Sequence, residues 1–183
     1  MNLAEKTRAY AEQKGAVICD DPAEKERLAA YIAPVASLFP YFVEKLSGGV
    51  YPYRMEEQGT AELREDDGIS WEYHDAITGT VGYLIGISVE AMNVGEEYTH
   101  FLFMHELAHI TAGGDHNRVF HDQLDEMLLT FNQATGANLA NDLFGMQIRY
   151  DSRPYVLPDY IPMQHSRRGT AFRTETKDEP KTK

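Results

Sequence analysis

Phe101-Leu102-Phe103-Met104-His105-Glu106-Leu107-Ala108-His109-Ile110 is apolar all round a helix except at three positions within five residues. A helix of that kind is normally buried. Two imidazoles and a carboxylate buried without partners would be strongly destabilising, and a metal ion removes the difficulty. His105 and His109 are four residues apart, so both rings leave one face of the helix and can converge on one ion. Glu106 lies beside them, within reach of a water molecule at that ion.

Catalytic zinc usually takes three protein ligands. The third candidate is His116, which follows His109 after a stretch containing Gly113-Gly114. A second helix is predicted from about Asp115 to Ala134, with Phe120, Leu124, Met127, Leu128 and Phe131 on its apolar face. On that helix His116 lies about 40° from the direction of Phe120 and His121 about 100° away, which favours His116. His121, Asp122, Asp125 and Glu126 stay open as alternatives. Tyr83, His100, Tyr150 and Tyr155 are candidates for a donor that steadies an oxyanion.

Upstream, Asp21-Pro22-Ala23-Glu24 is a strong helix start, and helical apolar spacing continues from Leu28 to Leu46. Pro34 and Pro40 should kink or split that helix. A shorter helix is predicted from Leu3 to Lys14. Residues 50–90 change to short segments rich in Tyr, Ile, Val and Thr, broken by Gln58-Gly59, Asp66-Asp67-Gly68 and Thr78-Gly79. They read as an antiparallel meander of three or four strands, the last and most apolar covering residues 80–89. Trp71 and His74 fall within the meander as sheet residues.

The expected fold is therefore α+β: N-terminal helices (1–49), a sheet (50–90) and the metal-site helices (96–136), in one domain over 1–150. Prolines at 154, 158 and 162 and a polar end suggest an extended arm and disordered tail over 151–183.

The formal net charge of -12 repels phosphate backbones, so no nucleic-acid partner is expected. Cys19 is the only cysteine, which excludes an intrachain disulfide and a Cys-rich zinc knuckle. With no signal-type segment and no apolar run of about 18 residues, a cytoplasmic protein without a membrane partner is expected.

His105-Glu106-Leu107-Ala108-His109, followed by His116 and then by Phe120, resembles the zincin metallopeptidases of the SprT-like and Wss1-like group. The resemblance covers about 35 residues and the apolar strand before them. It implies a zincin-like fold and one zinc per chain on His105, His109 and His116. Glu106 would act as general base in peptide-bond hydrolysis, on a peptide held extended along strand 80–89. The DNA-linked role of some members does not transfer to so acidic a chain. Two alternatives remain: a non-catalytic zinc-binding interaction module, and a zinc hydrolase acting on a non-peptide substrate. YbeY-like RNA hydrolases also carry three histidines, but with Gly at the position of Glu106. Peptide deformylases need a cysteine ligand in a context that Cys19 lacks.

Overall fold

The computed structural model describes residues 1–54 and 67–142. The elements are α1 (Leu3–Gln13), α2 (Pro22–Leu38), α3 (Pro40–Val43), β1 (Gly49–Tyr53), β2 (Gly68–His74), β3 (Val81–Ser88), α4 (Val89–Val94), α5 (Glu96–Ala112) and α6 (Arg118–Thr135). The class is α+β, as the sequence suggests. The arm and tail over 151–183, and Gln58-Gly59, lie outside the described residues.

Asn2 and Glu5 close a capping box on α1. Asp21 caps α2 by accepting from the Ala23 amide, and Pro22 occupies its first turn. The helix runs through Pro34 and stops before Pro40, because the residue preceding a proline is pushed out of helical geometry. Phe39 accordingly takes φ -124° and ψ 54°, and α3 restarts at Pro40. α4 was not foreseen; Ser88 Oγ caps it by accepting from the Ala91 amide at 3.0 Å.

The sheet has the order β1-β3-β2. β2 and β3 form an antiparallel hairpin, closed by bonds between Asp75 and both Thr80 and Gly79. β1, however, runs parallel to β3, so the sheet is mixed rather than an antiparallel meander. It docks on the far side of β3, where Gly48 N donates to Tyr83 O and Tyr83 N to Lys45 O. This corrects the assignment of strand 80–89 as the edge that holds a peptide. β3 is central, and both its hydrogen-bonding sides are taken by β1 and β2. Among the described residues, β2 has no strand on its outer side.

One sheet face is covered by α1: Tyr51, Tyr53 and Leu84 pack with Ala11 and Ala16. The other carries the main core, in which Ile85 and Ile87 meet Phe101, Leu102, Met104 and Leu107 of α5, Leu28 and Val35 of α2, and Phe120 and Leu124 of α6. Every residue of α5 from Tyr98 to Ala108 is buried. This helix is the centre of the molecule, as its apolar circumference requires. Among the described residues, no helix is long and apolar enough to cross a membrane.

Candidate metal centre

His105 and His109 stack one turn apart on α5, with ring centroids 5.2 Å apart. α5 ends at Gly113, whose φ of 75° suits a residue without Cβ. Its amide donates to His109 O at 2.8 Å. Its carbonyl accepts from His109 Nδ1 at 2.7 Å. A carbonyl can only accept, so the proton sits on Nδ1 and Nε2 keeps its lone pair. Burial lowers the pKa of His109, and the bond to Gly113 opposes that shift only in part. The ring is therefore held neutral and oriented, the state a metal ligand needs.

Beyond Gly113-Gly114 the chain turns back and brings His116 to the same point. Its Nε2 lies 3.0 Å from His105 Nε2. Potential ligand atoms of His105, His109 and His116 all lie within 4.8 Å of one another, so the three could hold a metal ion. Zinc with Zn–N bonds of about 2.0–2.1 Å would set tetrahedral nitrogens about 3.3–3.4 Å apart, a few tenths of an ångström beyond the 3.0 Å between His105 and His116 Nε2.

His116 does not arrive on a helix face. α6 begins only at Arg118, capped by Asn117, whose Oδ1 accepts from the Phe120 amide at 3.1 Å. The turn after Gly113-Gly114, and not the face of a helix starting at Asp115, brings His116 beside His105 and His109. Of the alternatives, His121 pairs with Asn141 at 3.2 Å. Asp125 bonds the same amide at 3.0 Å, and Asp122 faces Arg118 at 3.4 Å. Glu126 is exposed. None of the four joins the cluster. Phe120 lies beneath it, its ring centroid 4.8, 4.5 and 4.6 Å from those of His105, His109 and His116.

Glu106 is turned about 100° from His105 around the helix and packs under the start of β2. A Cβ added at Gly68 would lie 2.7 Å from Glu106 Oε1, so any larger residue there would push the carboxylate from its place. The strand is pinned at that point. Tyr98 Oη donates to Asp67 Oδ2 at 2.5 Å, and Asp67 O accepts from Ser88 N at 2.9 Å. Gly68, Asp67 and Tyr98 were not singled out from the sequence. Their only early signal was the Asp66-Asp67-Gly68 break, which reads equally well as a plain turn.

A cleft of about 100 Å³ opens beside His109, lined by Ser70, Trp71, Glu72, Tyr83, Gly113 and Gly114. Tyr83 Oη donates to Ile110 O at 3.3 Å. Burial, and then the neighbouring Glu72 carboxylate, push its hydroxyl pKa up. His100 is buried away from the cluster, stacked on Phe131 with centroids 5.0 Å apart. Burial lowers its pKa, with Glu96 opposing. Of the donors considered for an oxyanion, Tyr83 borders the cleft, whereas Tyr150 and Tyr155 lie outside the described residues.

Comparison of the chain with protein-family models, with curated proteins and with solved structures finds no match.

Proposed function

We propose that the protein is a zinc-dependent peptidase of zincin-like design. The observation that carries this reading is the convergence of three imidazoles, two of them on the same helix as a buried carboxylate that packs under the start of an edge strand. Three imidazole nitrogen donors, one with its tautomer fixed by Gly113, are the ligand type and number found in catalytic zinc sites. His105, His109 and His116 would hold one zinc per chain. Bound there, zinc supplies Lewis acidity that makes water easier to deprotonate and a carbonyl easier to attack.

The protein's own groups do the rest. Glu106 accepts the proton of the attacking water at its carboxylate and delivers it to the leaving amine nitrogen. Its packing under Gly68 holds it in place and excludes bulk water. The outer edge of β2 offers backbone groups to an extended peptide, which would add as a further strand and cross the cluster. That arrangement replaces peptide addition to strand 80–89.

Metal analysis together with peptide-library cleavage, on the intact protein and on Glu106→Gln, tests the proposal. One zinc per chain in both proteins, with cleavage by the intact protein alone, is the expected result. Zinc in both with cleavage by neither would replace it with a metal-binding module or a hydrolase of another substrate. No zinc in either, even after zinc is supplied, would sink it.

A further inference from the structure

Resting on the peptidase reading, we propose that the cleft beside His109 is a substrate subsite for a lysine or arginine side chain, and that Glu72 reads its charge. The cleft lies between the edge strand β2 and the Gly113-Gly114 turn, next to an imidazole of the cluster. An extended peptide added along β2 would send one side chain into it as the chain passes His109.

The lining suits a long stem with a cationic end. Gly113 and Gly114 contribute no side chain, and Tyr83 provides an aromatic wall along which methylenes can lie. Glu72 is the only carboxylate among the lining residues, and none of them is Lys or Arg. It pairs across the hairpin with Tyr83 in the strand register, and its charge raises the pKa of the Tyr83 hydroxyl. The field of Glu72 therefore reaches into the cleft.

His74 Nε2 contacts Glu72 Oε1. That contact orients the carboxylate on the cleft face of β2. An acidic side chain would be repelled, and an aliphatic one would cover Glu72 without replacing its water. The net charge of -12 acts in the same direction, drawing cationic peptides towards the site.

The zinc-loaded Glu106→Gln protein is titrated in a calorimeter, which reads binding without turnover, with peptides that differ only by Lys, Gln or Glu at one position, scanned along the peptide. At one position the Lys peptide should bind about fivefold more tightly than the Gln peptide, the upper range for a partly exposed ion pair. Adding Glu72→Gln should bring that ratio near one, and adding Glu72→Lys should turn it in favour of Glu. Equal binding of Lys and Gln peptides at every position, or a Lys preference that survives Glu72→Gln, overturns the assignment. Library cleavage by the intact protein separates the two readings. Cleavage without a basic preference sinks only the subsite, whereas Glu72-dependent binding without cleavage keeps the subsite and sinks the peptidase.

Discussion

Replacing Gly68 by Ala would separate the two halves of the proposed site, because the atoms nearest this glycine belong to Glu106 and not to the three histidines. The new methyl would stand 2.7 Å from Glu106 Oε1, 3.1 Å from Cγ and 3.2 Å from Cδ, where ordinary contact begins at 3.4 Å. The carboxylate must retreat by about 0.7 Å, approaching the ~1 Å misplacement that can cost a hundredfold in rate, so roughly a ten- to hundredfold loss of kcat is expected. Stability should change little, since the atoms that yield belong to a side chain and Gly68 is not in a left-handed conformation. The assay is kcat and KM on a peptide cleaved by the parent protein, beside zinc content and the melting temperature. Full kcat in a folded, zinc-loaded Gly68→Ala protein would falsify the placement of Glu106 as the working base. Loss of zinc would show that Gly68 supports the metal cluster instead.

Three further outcomes follow from the same geometry. Gly113→Ala forces a residue with Cβ into φ 75° and shifts the carbonyl that orients His109; zinc affinity in a chelator competition should fall about ten- to a hundredfold. His116→Ala should strip the metal while His121→Ala keeps it, and the reverse pattern in metal analysis would transfer the third ligand to α6. Asp75 is held at a pKa of about 2, below its ordinary 3.8, first by the hydrogen bond from Lys6 and then by the Ile77 amide. The folded state thus binds this proton less readily than the unfolded chain. The contribution is complete above about pH 4 and disappears as pH falls towards 2. The gap in melting temperature between the parent and Asp75→Asn should narrow over that interval, and a gap independent of pH would contradict the Lys6–Asp75 link.

What could be read from the sequence was local. His105, Glu106 and His109 sit on one helix, where spacing fixes direction, and the apolar run around them gave its burial. The face of α6 was equally plain from Phe120 to Phe131. The start of that helix was not, because Asp115 and Asn117 are both good caps and only the fold selects the second. β1 was placed antiparallel although it is parallel to β3, since alternation of side chains is the same in either direction. Tyr98 and Asp67 lie far apart in the chain, and neither has a local pattern that announces the other. The edge strand was misassigned for a related reason: the apolarity of β3 marks it as covered, and a covered strand is central.

The cluster of imidazoles is built from one short stretch of chain, with His105 and His116 only 11 positions apart. Glu106 shares α5 with two of the three imidazoles, but its carboxylate packs against a glycine far upstream on another element. On the proposed reading, ion capture would depend on contacts local to α5 and the turn after it, whereas turnover would also need the long-range docking of the sheet. Damage to the sheet should then leave a chain that still binds metal but no longer cleaves peptides.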